Sequence, residues 1–335
     1  MRLWRLLRHA VTGCAATAML AGCGGSQPPI GAPSVVPQGS ATVQHTAHGQ
    51  SWLLPEASGE TLLYISSYEG AVYIYSYPSL VLVGTLRERG QPQAPCSDAN
   101  GNVWIPVSDN GARSYVAEYA HGGTKRLSVL RGFGPTPRGC AVNGVTGDVA
   151  VTTFCSAYVS QYCYEGGSVS IFKRGKGRPH RLNDSKIGYY WSCAYDDSGN
   201  LFVDGLDIKH RSVVIGRVRH GQSHFANISL SKAPAEVGGL QWNGGYLAIE
   251  DPSVSTITRF SIKGEKGQVA GTTPINGGQY ITGFTIQGST ATVPDYSAGI
   301  VGLYDYPQGG AAVTTIAVTL PTGVTLSIAP IGAPH

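Results

Sequence analysis

The chain is poor in charge. Asp, Glu, Lys and Arg together make up 13% of its 335 residues, about half of the usual ~25%. Methionine occurs twice, and no window carries the 3.6-residue apolar period of an amphipathic helix, which argues against a helical bundle. No apolar run reaches the roughly 20 residues of a membrane-spanning helix. Gly-x-Ser-x-Gly, P-loop and Cys-x-x-Cys patterns are absent, so the common signatures of serine hydrolases, nucleotide binders and thiol oxidoreductases are missing. What fills the space is glycine, 46 residues, and 18 tyrosines among abundant Val, Thr and Ser. That composition suits strands joined by tight turns. An all-β fold is expected.

The first residues read as a targeting segment rather than as part of the fold. Arg2, Arg5 and Arg8 precede an apolar run from Ala10 to Leu20, which ends in Leu20-Ala21-Gly22-Cys23. Leu-Ala-Gly-Cys resembles the bacterial lipobox. That resemblance implies cleavage before Cys23 and acylation of its thiol, with residues 1–22 as signal peptide. It places the protein at a bacterial cell envelope, lipid-anchored and extracytoplasmic, in the outer membrane if the host is Gram-negative. Residues 23–58, rich in Gly, Ser, Pro and Gln, read as a flexible tether. Residues 59–329 then form the domain and 330–335 a tail. Losing residues 1–22, with three Arg and no acid, lowers the net charge from +4 to +1. A nearly neutral mature chain is not expected to bind nucleic acid.

From residue 60 a unit of strand, turn and strand recurs. It appears as CSDANGNVWIPVS (96–108), CAVNGVTGDVAVTTF (140–154), CAYDDSGNLFVDG (193–205), LQWNGGYLAIED (240–251) and FTIQGSTATVPD (284–295). The turn glycines Gly101, Gly147, Gly199, Gly245 and Gly288 lie 46, 52, 46 and 43 residues apart. Two further strand-like runs follow each unit, giving four strands per repeat, the blade of a β-propeller. The N-terminal runs LLYIS (62–66), AVYIYSY (71–77) and LVGTL (82–86) lack an innermost strand. GVTLS (323–327) is an inner strand without a blade. The prediction is a six-bladed β-propeller of four-stranded blades, closed when the C-terminal strand pairs into the first blade.

The segments PxGCAVN…TGDVAVT and CAYDDSGNLFVDG resemble NHL-type and gluconolactonase/regucalcin-like propeller repeats, over nearly the whole mature domain. That superfamily contains enzymes and binding modules alike. A gluconolactonase-like member would hold a divalent cation that polarises a lactone carbonyl.

The long, varied loops are expected on one face, opposite the short Gly turns, and a site is expected there. Asp204, Glu250 and Asp295 end the second strand in three consecutive blades. Together they are the candidate metal ligands, for Ca²⁺ or another divalent cation; the competing reading is an acidic rim without metal, and no cofactor is the default expectation. With Tyr68, Tyr190 and Trp191 they make up the candidate ligand-binding rim. Cys155 and Cys163 are the expected disulfide, stapling the longest insertion. Cys96, Cys140 and Cys193 share one position in successive blades, read as packing in a repeated slot, with a three-thiolate metal site as the alternative. Five cysteines outlast the leader and its acylated Cys23, so at least one thiol stays unpaired. Two functions follow. The first is a monomeric, membrane-anchored binding module for a protein, glycan or small ligand; the second is a metal-dependent lactonase-like hydrolase.

Overall fold

A computed structural model describes residues 50–109, 113–159, 162–207 and 209–330, without the side chains of 155–165. Cys23 lies outside the described residues, and so do the side chains of Cys155 and Cys163. In the backbone ladder Cys155 stands opposite Gly166 and Cys163 opposite Tyr158.

The described residues form a β-propeller. Blade 1 comprises Thr61–Ser67, Ala71–Tyr77 and Leu82–Arg87, with Pro321–Ser327 as its innermost strand. That closing strand runs antiparallel to Thr61–Ser67, pairing Leu63 with Leu326 and Ile65 with Val324. Trp52–Leu53 adds a fifth strand along Leu82–Arg87, so the folded unit begins inside the stretch expected to be tether. Blade 2 has an interrupted inner strand, Gln91–Pro92 and Cys96–Ser97, then Val103–Ser108, Tyr115–Tyr119 and Arg126–Leu130. Blade 3 is Pro137–Val142, Val149–Val159, Tyr162–Phe172 and His180–Leu182. Blade 4 is Tyr189–Tyr195, Leu201–Asp207, Ser212–Val218 and Phe225–Leu230. Blade 5 is Leu240–Asn243, Tyr246–Asp251, Thr256–Lys263 and Lys266–Pro274, and blade 6 is Thr285–Gln287, Thr290–Asp295, Ile300–Asp305 and Thr314–Ala317.

Counted by hydrogen bonding, these six units make five sheets rather than six. The outer strands of blades 4 and 5 join through a short parallel pairing of Ser229 and Leu230 with Lys266 and Gly267, which fuses the two blades into one eight-stranded sheet.

The core divides in the same way. Six buried clusters are found among the described residues, one at each blade–blade junction. The period-two alternation of a strand sends successive side chains to opposite faces, so one strand feeds two junctions. In Tyr246–Asp251, Leu247 and Ile249 pack with Phe202 and Ile215 of blade 4, whereas Ala248 packs with Phe284 and Val293 of blade 6.

The turns on one face follow directly from sequence. In Asp98–Asn102 the Asp98 carboxylate accepts from the backbone N–H groups of Asn100 and Asn102 and from the Asn102 amide. Asp196–Asn200 repeats the same contacts. Their glycines sit at φ +78° and +77°, a region side chains rarely enter, which explains the Asp-x-x-Gly-Asn pattern.

Candidate functional site at the channel mouth

Opposite those turns, the six inner strands converge on a cavity of about 310 Å³. Each blade contributes the start of its inner strand. Thr322-Gly323-Val324 comes from blade 1, Gln93-Ala94-Pro95 from blade 2 and Arg138-Gly139-Cys140 from blade 3. Trp191-Ser192-Cys193 belongs to blade 4, Gly239-Leu240 to blade 5 and Thr282-Gly283-Phe284 to blade 6. Tyr68, Tyr280 and Tyr296 complete the wall. Tyr296 meets the other two rings edge-on, each at 6.3 Å between centroids.

A belt of hydrogen bonds crosses every blade junction just below this wall. Thr322 Oγ1 donates to Pro92 O, 2.7 Å, and Ala94 N to Arg138 O, 3.1 Å. Thr152 Oγ1 donates to Trp191 O, 2.8 Å, and Thr282 Oγ1 to Pro321 O, 3.0 Å. The remaining two junctions are held by acids. Gly238 N donates to Asp204 Oδ2 at 2.9 Å, and Gly283 N to Glu250 Oε2 at 2.8 Å.

This arrangement relocates the acids that the sequence placed at a rim. Asp204 and Glu250 are fully buried and Asp295 nearly so. Asp204 Oδ1 also accepts from Ser192 N, 2.6 Å, and Glu250 Oε2 from Gly239 N, 2.8 Å. Asp295 closes its own blade, accepting from the backbone N–H groups of Gln279, Tyr280, Ser297 and Ala298. Apart from Glu250 Oε1, every oxygen of these three carboxylates accepts from backbone N–H groups. Among the described residues no group of three or more His, Cys, Asp or Glu is placed to hold a metal ion. Burial pushes the Asp204 carboxyl up to about 7, with the Glu250 charge adding to it against the amides that lower it. Burial also pushes Glu250 up to about 7. Its Oε1 has no hydrogen-bond partner among the described residues.

The aromatic candidates divide. Tyr68 and Trp191 line the cavity. Tyr190 does not; alternation along its strand turns it into the blade 3–blade 4 core, where its hydroxyl accepts from Asp184 N at 2.6 Å. The cysteines also depart from expectation. Cys96 and Cys140 form a disulfide between blades 2 and 3, with Cα atoms 5.6 Å apart. Position in a repeated slot puts neighbouring inner strands side by side, and that is the geometry a disulfide needs. Cys193, the next in the series, is a free, buried thiol whose pKa burial raises strongly. Neither three packed thiols nor a thiolate metal site describes the set.

Sequence reasoning missed Arg138, Gln93, Tyr280 and Tyr296. Arg138 lies with its Cζ 4.7 Å from the Trp191 ring centroid and 5.3 Å from that of Phe154, and its Nη1 donates to Gln93 Oε1, 3.1 Å. Phe154 in turn stacks on Tyr189 at 4.2 Å. The available signal was the echo of Pro137-Arg138-Gly139 in Pro321-Thr322-Gly323, which marks equivalent positions around the mouth.

No family model matches the chain, and no curated protein matches it. Among solved structures it is similar to a chain of a crystal structure of a nidogen/laminin complex, with a TM-score of 0.65 and 13% identity over 81% of this chain and 99% of that one. The shared architecture is the β-propeller. At that identity the likeness concerns the fold alone.

Proposed function

We propose that the protein is an interaction module that engages a partner protein through the channel-mouth face, held at a bacterial envelope by a lipid on Cys23. The observation that carries this reading is the composition of the mouth. Six blades deliver aromatic side chains, one guanidinium and bare glycine backbone to a single concave spot, while the hydroxyls and carboxylates around it are engaged in joining blades. Rigid aromatics around a preformed hollow suit recognition, and among the described residues the cavity wall lacks a nucleophile paired with a general base. The fold's likeness to a chain solved in a protein–protein complex agrees with a protein partner. The anchor rests on Leu20-Ala21-Gly22-Cys23, and the kinship with NHL-type or gluconolactonase-like repeats on the segments around Cys140 and Cys193. A lactonase-like role gains no support from acids that are bonded to backbone amides.

The test is site-specific photocrosslinking in the native envelope, with the crosslinker at Tyr68 or Thr322 on the mouth face or at Ser198, exposed in a turn on the opposite face. A discrete protein adduct from the mouth positions alone is expected. Adducts from Ser198 alone, or none from the mouth, overturn the reading.

A further inference from the structure

Positive charge is gathered at one corner of the face that carries the Asp-x-x-Gly-Asn turns, away from the mouth. Lys173 to Arg181, around the hairpin that joins the last two strands of blade 3, holds five of the chain's 24 Lys and Arg residues and no acid. The matching hairpin of blade 4, between Val218 and Phe225, adds Arg219, His220 and His224, again without an acid. The two meet across a groove of about 250 Å³, lined by Lys173 and His180 from one, Arg219 and His220 from the other, and Asn143 and Gly199 from the turns of the same blades. Asp148 is the one acid in that lining among the described residues, and it is engaged: Oδ2 accepts from Lys173 Nζ and Oδ1 from Arg174 N, both at 2.9 Å. The side chains of Arg174, Lys176, Arg178 and Arg219 are exposed and meet no hydrogen-bond or ion-pair partner among the described residues. The blade 3 tip is also held in place. Gly175 sits at φ +62°, and a Cβ there would lie 2.7 Å from the Trp104 indole of blade 2, so the hairpin packs down on its neighbour. Its cations are presented on a fixed frame, which lowers the cost of binding.

We propose that the blade 3–blade 4 corner of the turn face docks on the phosphate headgroups of an anionic membrane, leaving the channel mouth on the side away from the lipid. A row of unpaired cations on two neighbouring hairpin tips matches an extended array of phosphates better than a single anion. Each Lys or Arg brought near such a surface strengthens binding roughly fivefold, and the attraction falls off within a Debye length, ~10 Å at 0.1 M salt. The inference rests on the envelope reading for the presence of a membrane. It adds a contact that does not depend on the acyl chain and that sets which face the module shows to a partner.

The full chain carries a photocrosslinker in place of Gln222, in the groove, or of Tyr68, at the mouth. It is mixed at low salt with vesicles of phosphatidylcholine, alone or with one third phosphatidylglycerol, and mass spectrometry reads the lipid adduct. The Gln222 position is expected to give roughly tenfold more adduct on anionic than on neutral vesicles, and high salt should remove that excess. Arg174→Gln, Lys176→Gln and Arg178→Gln combined should lower the adduct to the neutral-vesicle level. Lys186→Gln, Lys209→Gln and Lys232→Gln combined remove the same charge from exposed connections outside the two hairpins and should leave it unchanged. A thermal melt of each variant separates lost docking from lost folding, and the comparison of vesicles carries the test if the first triple variant does not fold. Equal adduct on both vesicles, its survival in that variant, or as much lipid on Tyr68 as on Gln222 overturns the inference. Loss of the adduct to millimolar inorganic phosphate overturns it in favour of a free anion. A DNA duplex that displaces the lipid and itself crosslinks at Gln222 overturns it in favour of nucleic acid. The adduct should persist in Cys23→Ser, and its loss there overturns a contact independent of the acyl chain. A protein crosslink from the mouth with no lipid adduct at Gln222 removes the docking and leaves the interaction module standing.

Discussion

Replacing Glu250 by Gln, alone and together with Asp204→Asn, probes how the belt responds to pH. Both carboxyls are pushed up by burial, Asp204 from 3.8 and Glu250 from 4.5, to about 7 in the folded chain. The folded state therefore holds these protons more tightly than the unfolded one between pH ~4 and ~7. Stability is full below the unfolded values and declines as pH rises through that window. At about 1.4 kcal/mol per pKa unit, each group accounts for on the order of 3–5 kcal/mol. The Glu250 charge is part of the Asp204 shift, so the pair should not be summed. For a domain of this size 1 kcal/mol moves the melting temperature by roughly 2 °C, so a drop of several degrees is expected between pH 5 and pH 8. Glutamine and asparagine stay neutral like the protonated acids. Circular-dichroism melts across pH 4.5–8.5 should give a falling profile for the wild type, a shallower one for Glu250→Gln and a nearly flat one for the double variant. A wild-type melting temperature that holds level or rises between pH 5 and 8 refutes the burial argument. A double variant that keeps the full slope refutes the assignment to this pair.

Three further outcomes are expected. The Cys96–Cys140 bond closes a loop of 44 residues, for which chain entropy gives about 4 kcal/mol; Cys96→Ser should lower the melt strongly, and added reductant should lower the wild type but not the variant. Phe202 is buried at the blade 4–blade 5 junction and stacks on Trp242, so Phe202→Ala should cost about 3–5 kcal/mol in chemical denaturation. Cys23→Ser should move the protein from the membrane to the soluble fraction on cell fractionation; retention in the membrane would rule out the lipid anchor.

Much of the architecture was legible because a propeller repeats its local rules. Asp-x-x-Gly-Asn specifies a turn through bonds among five consecutive residues, and period-two alternation assigns side chains to junctions. Those signals are local, so strand positions and the ring closure by Pro321–Ser327 could be read directly. The site was less legible. Asp204, Glu250 and Asp295 lie on the second strands of three consecutive blades, Asp204 within Leu201–Asp207 rather than at its end; an acid's role depends on which N–H groups face it, and the deciding ones belong to residues 11 to 34 positions away. Tyr190 and Trp191 are adjacent, and only strand register decides which one enters the core. Arg138 is marked in sequence only by the echo of its Pro-x-Gly neighbours; the rings it packs on, Trp191 and Phe154, each lie on a different strand.

The closing strand also sets an order of events. Leu63 and Ile65 pair with residues more than 250 positions later in the chain, a contact that must await synthesis of nearly everything between them. Until residues 321–327 emerge, Thr61–Ser67 presents an unpaired, apolar edge of the kind that recruits other strands. Pairing so distant in sequence makes slow folding, so the interval is long as well as hazardous. A ribosome stalled before Pro321 would leave five blades able to form and the first one open, and truncations there should be found in aggregates rather than as weakened monomers.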